Sequence, residues 1–258
     1  MITFKHVGNE WWWGRMGNQF FQIASTLGIA LDHGHKFYFP EWKYREYFKN
    51  PLPFKSFAEL EQMDLIVLEE KSLGHNCFSV HSDKNYDLQG FFQSFKYFDK
   101  YRSIIQYYFD FNDEVITTTR GKYFDLLREE NLCSIHLRAG DYHQFPNHHP
   151  ILRSDYYQSA ILHFPNHKFL VFSDDINYCK SIFVGDNFHF VEGNPNIKDV
   201  CLMSLCKNNI IANSSFSWWG AYLNRNGNKK VVAPQNWFGP ALSNEHIDDR
   251  LPAEWIKI

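Results

Sequence analysis

The chain has 258 residues, 44% hydrophobic and 21% charged, which is enough to bury a large core as one large domain or two smaller ones. Its net charge of -3 lacks the basic excess of a nucleic-acid binder. No apolar run approaches a membrane span and the first residues carry no signal-peptide stretch, so a soluble, cytoplasmic protein without an integral membrane segment is expected.

The first half reads as one α/β unit. Ile2 to Val7 predicts a strand, Gly14 to Asn18 a loop, Gln19 to His33 a helix and Lys36 to Phe39 a second strand. Residues 40–56 are aromatic and punctuated by proline, with no clear period. Leu65 to Leu68 and Tyr86 to Phe92 are further strand candidates. A polar, helical stretch from Thr117 to Leu132 suggests a boundary, which we set at 125/126.

The second half alternates more clearly. Strands are predicted at Leu132 to Leu137, Phe169 to Phe172, Phe188 to Val191, Ile210 to Ala212 and Val231 to Ala233. Helical patterns lie between them, starting at Ser154-Asp155, near Asn177, at Asp199 and at Ser217. This alternation predicts a parallel sheet with helices on both faces. Ligands of such sheets bind beyond the carboxyl ends of the strands. That rule singles out Arg138 to Tyr142, Ser173 to Asp175 and Asn213 to Ser217.

In His136-Leu137-Arg138-Ala139-Gly140-Asp141-Tyr142 an imidazole and a guanidinium share one face of an extended chain. The guanidinium fork fits phosphate oxygens. An Arg138–Asp141 ion pair closing a turn is the structural alternative. Ser214, Ser215, Phe216 and Ser217 open a helix, where backbone N–H groups form an anion site or serine hydroxyls simply cap the end. Gly14-Arg15-Met16-Gly17-Asn18-Gln19 precedes a helix and allows close backbone approach, or only a turn. Ser173-Asp174-Asp175 offers carboxylate acceptors or helix capping.

Five cysteines form no CxxC pair and read as free thiols, most of them buried, as in a reducing compartment. The 18% of aromatic residues suit core packing first and ligand stacking second. His143, His148 and His149 lie close together, and His163 and His167 are four apart. No adjacent carboxylate or cysteine pattern supports a metal, so none is expected.

Taken in order, these segments resemble the family 11 glycosyltransferases, the α-1,2-fucosyltransferases. The resemblance also includes Leu88-Gln89-Gly90-Phe91-Phe92-Gln93-Ser94, Asp199 to Ser204 and Cys206 to Ala221. It implies a GT-B arrangement, two Rossmann-like domains facing across a cleft. Residues 1–125 would form the acceptor side and 126–258 the donor side. It implies GDP-fucose as donor, no metal or other cofactor, and inverting transfer of L-fucose to galactose O2 of a glycan. Arg138 matches the phosphate-binding arginine. Asp174 and Asp175 match a segment that contacts guanine in related fucosyltransferases, and Ser214 to Ser217 match the segment beside the diphosphate. Gly17 and Arg15 join the donor set. Asp141, with His136 as the alternative, is the candidate base, and Asn18 would position acceptor or fucose.

Two departures from the family pattern stand out. Ala139 replaces a usual second arginine, leaving Arg15 or Arg153 as possible helpers. The Trp11-Trp12-Trp13 run precedes the glycine loop as an acceptor surface or a packed flap. Residues 40–53 and 143–151 are the other expected acceptor loops. The alternatives are transfer of fucose or another GDP-sugar to a different position, and a glycan- or nucleotide-binding relative without catalysis. Oligomeric state is not legible.

Overall fold

The computed structural model describes residues 1–10, 14–245 and 248–258. The Trp11-Trp12-Trp13 run therefore lies outside the described residues. The chain divides into two compact units, residues 1–112 with 245–252, and residues 113–244 with 253–258. The division lies at 112/113, ahead of the expected boundary at 125/126. The helix Asp113–Lys122 belongs to the second unit, and residues 245–252 return to the first.

In the first unit, four parallel strands run in the order β2-β1-β4-β3, with β1 at Ile2–Thr3, β2 at Phe37–Tyr38, β3 at Ile66–Glu69 and β4 at Tyr86–Gln89. β1 is shorter than the apolar run predicts. The N–H of Lys5 is taken by the Asp87 carboxylate (2.8 Å), and Val7 turns back onto Phe4. Helix α1, Met16–Asp32, is buried from Met16 to Ala30 except at Asn18. A helix buried all round has to satisfy its polar side chains internally. Gln22 donates to the Gly90 carbonyl, Ser25 to that of Phe92, and Gln19 accepts from the Trp42 indole. Phe20 stacks on Phe109, and Trp42 on Phe48. These two residues of the 40–53 segment, expected as acceptor loop, are core instead. Short helices α2 (Phe57–Glu61) and α3 (Arg102–Tyr108) complete the unit.

The second unit opens with α4 (Asp113–Lys122) and α5 (Phe124–Leu127). Six parallel strands follow: β5 at Leu132–Leu137, β6 at Lys168–Ser173, β7 at Phe188–Phe190, β8 at Asn208–Ile210, β9 at Val231–Ala233 and β10 at Ile256–Lys257. Their order is β10-β9-β8-β5-β6-β7. The connecting helices are α6 (Ser154–Ile161), α7 (Ile176–Ile182), α8 (Asn196–Leu205) and α9 (Ser215–Tyr222).

Both faces of this sheet are covered. Cys133, Ile135 and Leu137 of β5 join Phe169 and Val171 of β6 in one apolar cluster. Leu132, Leu170 and Phe172 point the other way into a second cluster. The strict period of two on two buried faces is what a sandwiched parallel sheet requires. Four of the five cysteines are buried and free. Among the described residues, no helix is long and apolar enough to cross a membrane.

Candidate active site

The strand order of the second unit places its ligand crevice. The chain passes from β5 outward to β6 and β7, then crosses back to β8 on the other side of β5 and continues outward to β9 and β10. Connections therefore leave β5 and β8 in opposite directions, and in such sheets ligands bind beyond the carboxyl ends of the two strands where the order reverses. The segments there are Arg138 to Tyr142 and Ile211 to Ser217.

Arg138 stands at the end of β5 with its side chain 16% exposed. Its Nη2 donates to Asp141 Oδ1 at 2.6 Å, and Nη1 pairs with Asp174 Oδ2 at 2.9 Å. The guanidinium also lies over the Tyr142 ring, 5.5 Å from its centroid. Two carboxylate partners do not exhaust the five N–H donors of a guanidinium. The fork is thus held in place with donors left for a third acceptor. The turn-closing ion pair and the phosphate site are compatible, because the first orients the group that the second needs.

Asp174 does more than balance charge. Its Oδ1 accepts from the Ala139 N–H at 3.0 Å. A Cβ at position 140 would sit 2.1 Å from its Oδ2, so Gly140 is what lets the carboxylate approach. Ala139 itself is fully buried in the apolar cluster under β5. Asp175 caps α7 by accepting from the Tyr178 N–H. Both carboxylates of this pair therefore have structural duties within the second unit.

His136 is buried on the face of β5 opposite the Cys133–Leu137 cluster and packs on Phe216, with ring centroids 5.3 Å apart. Its Nδ1 lies 2.9 Å from Ser217 Oγ. Burial, followed by the nearby Arg138 charge, pushes its pKa down to about 3, so the imidazole is neutral. Ser217 Oγ also accepts from the Ala212 N–H and reaches the Ser214 carbonyl. Ser214 is the N-cap of α9 and accepts from the Phe216 N–H, and Ser215 begins the helix. The structure thus brings His136, Arg138, Asp141, Asp174 and the start of α9 to one sheet edge.

Sequence reasoning assigned no role to Tyr142 or Asn213. The Tyr142 hydroxyl donates to the Asn213 carbonyl at 2.8 Å, joining the segments after β5 and β8. The Asn213 amide donates to the carbonyls of Pro150 and Trp237. Both residues lie within the resembling motifs and within the post-strand segments, the two signals that could have found them. Asp199 is a third such group. Burial raises its pKa to about 6, and it accepts from Asn194 on the loop after β7.

The remaining candidates lie elsewhere. Asn18 and Gly17 are in the first turns of α1 in the first unit, and Arg15 precedes them, exposed. Asn18 Oδ1 accepts from Gln93 at 2.6 Å. Arg153 is 86% exposed beside Asp155. Among the described residues, no group of three or more His, Cys, Asp or Glu side chains could hold a metal ion.

Comparison with known proteins adds findings of three kinds: a family model, sequence relatives and solved structures. The model of the family described as glycosyl transferase family 11 matches residues 13–258. An α-1,2-colitosyltransferase of Escherichia coli is 36% identical over 66% of this chain and 61% of its own length. The O-antigen biosynthesis glycosyltransferase WbnK of the same organism is 34% identical over 64% and 59%. The galactoside α-(1,2)-fucosyltransferase 1 of Bos taurus is 29% identical over 81% and 64%. The chain thus spans about three fifths of the length of these relatives. Among solved structures, apo POFUT1 superposes with a TM-score of 0.54 at 11% identity, over 90% of this chain and 96% of that one. POFUT1 in complex with GDP-fucose gives 0.51 at 13%, over 88% and 95%. At such identities the likeness concerns the fold.

Proposed function

The chain belongs to glycosyl transferase family 11, and from that premise we propose that it moves L-fucose from GDP-fucose to galactose O2 of a glycan acceptor, with inversion and without a metal. Its architecture of two parallel-sheet α/β units is of the GT-B type. The observation that carries the donor assignment is Arg138, pinned by Asp141 and Asp174 beside the N-terminus of α9. In this reading the second unit holds the donor and the first the acceptor. POFUT1, of the same fold, binds GDP-fucose, which supports a guanosine diphosphate donor.

The chemistry follows from the leaving group. As the C1–O bond of the donor breaks, charge grows on the β-phosphate. Without a metal, fixed donors have to offset it. Arg138 and the first backbone N–H groups of α9 are such donors, and they need no rearrangement at the moment of reaction. The transition state is oxocarbenium-like. The acceptor oxygen bonds to C1 from the opposite face and its proton passes to a base.

We assign the base to Asp141. His136, the alternative in the sequence, is given a positioning role instead, because it is buried with its Nδ1 against Ser217 Oγ, whereas the Asp141 carboxylate is partly exposed. Asp174 and Asp175 enter as supports of Arg138 and α7.

The 36% identical relative supports a second reading, in which the transferred sugar is colitose. One experiment separates them: incubation in EDTA with fucosyl and colitosyl donors and a galactoside panel, followed by linkage determination. A fucosyl α-1,2 product is expected. A colitosyl-only product favours the second reading, and no product in EDTA with recovery on metal addition removes the metal-free mechanism. In the same assay, Asp141→Asn should lower kcat about 100-fold or more, as for a lost general base. An equal loss of GDP affinity would reduce Asp141 to a positioner.

A further inference from the structure

The segment Gly90–Ser94 resembles a family motif, yet the proposed chemistry gives it no work. It follows β4, at the carboxyl edge of the first unit's sheet. Two of its residues are in the left-handed region, Gly90 at φ 149° and Phe92 at φ 51°, and Phe92 is fully buried. A phenylalanine with positive φ is strained unless its surroundings impose the conformation.

The groups that impose it are Gln22 and Ser25 of α1, which hold the carbonyls of Gly90 and Phe92, and Glu70, the residue after β3. One oxygen, Oε2, accepts from the N–H groups of both Phe91 (2.8 Å) and Phe92 (2.9 Å). A Cβ at position 90 would lie 2.4 Å from Glu70 Cβ, so only glycine admits the carboxylate. The other oxygen, Oε1, is buried without a hydrogen-bond partner among the described residues. The turn then delivers Gln93, whose amide works at both ends. Its Nε2 donates to Asn18 Oδ1, and its Oε1 accepts from the buried Arg250. The Asn18 carboxamide in turn lies over Gly14, where a Cβ would meet its Nδ2 at 2.1 Å.

We propose that Glu70 is a positioning residue for the acceptor side: it holds the strained Gly90–Gln93 turn, and through Gln93 it sets the Asn18 carboxamide over the Gly14 turn. This rests on the reading of the first unit as the acceptor side. Burial of the carboxylate, opposed by the two amides, raises the Glu70 pKa to about 7. The charged and titratable groups around it are Arg250, which favours ionisation, and Asp249 and Tyr97. An anion accepts from amides more strongly than the neutral acid. The turn should therefore tighten as pH rises through 7.

The test compares wild type, Glu70→Ala, Glu70→Gln and Gln93→Glu in two assays. In hydrogen exchange, corrected for intrinsic rate, the Phe91 and Phe92 amides of wild type should gain protection between pH 6 and pH 8. Glu70→Gln should show no such step, and Glu70→Ala should lose at least tenfold in protection. In kinetics, Glu70→Ala should raise acceptor KM or lower kcat at least tenfold with GDP affinity unchanged, and Glu70→Gln should recover most of that loss. Gln93→Glu retains the acceptor for Arg250 but cannot donate to Asn18. It should reproduce the kinetic defect with the Phe91 and Phe92 amides still protected, which keeps the proposal testable if Glu70→Ala does not fold. Wild-type exchange in Glu70→Ala, or wild-type acceptor kinetics in both Glu70→Ala and Gln93→Glu, overturns the proposal. Absence of transfer in every variant, wild type included, instead overturns the transferase reading, because the exchange assay needs no activity.

Discussion

Arg138, which we propose as the phosphate ligand, is held by two carboxylates. Its ion pairs with Asp141 and Asp174 are modest as stabilisers at their partial exposure. Their effect is to fix the plane of the fork. His136, two residues earlier, is prepared differently. Its folded pKa is depressed from 6.5 to about 3, so the unfolded chain takes up a proton that the folded chain refuses. The resulting stability is fully present above pH 6.5 and is lost as pH falls towards 3. The thermal midpoint of wild type should therefore fall more steeply over that interval than that of His136→Asn. Parallel slopes, or an imidazole that NMR shows titrating near 6.5, would contradict this. The pairing of His136 with Ser217 was not legible from sequence, because 81 residues separate them.

At the scale of elements, sequence pattern performed best where burial is uniform. β5 and β9 have the predicted bounds, since both runs are buried throughout and, His136 apart, made of apolar or small residues. β8 starts two residues before the predicted Ile210. Asn209 is fully buried but satisfied by Ser134 and the Met203 carbonyl, so a polar residue occupies a core position that hydropathy cannot detect. β10 was missed because two residues gain their identity only by pairing with β9. The α9 terminus depends on Ser217, whose hydroxyl oxygen accepts from Ala212 and contacts His136. Ser217→Ala strands both, and each stranded buried group costs about 1–3 kcal/mol. Denaturant unfolding should show a loss of that order or twice it, and wild-type stability would refute the assignment. Gly140→Ala should cost less stability but, by pushing Asp174 from Arg138, weaken GDP binding by about tenfold, the effect of one modest hydrogen bond.

For the whole molecule, the alternation of strands and helices in the second half was enough to infer a parallel sheet, and the post-strand rule located Arg138 to Tyr142. The strand order, and hence which two segments flank the crevice, required the structure. The first unit was less legible. Residues 245–252 return to it from the far end of the chain, and the Glu70, Gln93 and Arg250 side chains meet across 180 residues of sequence. No local pattern encodes such a network. We propose that the second unit grips a nucleoside diphosphate through Arg138 without a metal. It is tested most directly by calorimetric titration of GDP, in EDTA, into wild type and Arg138→Lys. A lysine keeps the charge and loses the fork. We expect wild type to bind, and Arg138→Lys, with an unchanged thermal midpoint, to bind at least about tenfold more weakly, the equivalent of one charge-assisted hydrogen bond. Equal affinities in the two proteins, or binding by wild type only after a divalent cation is added, would contradict it.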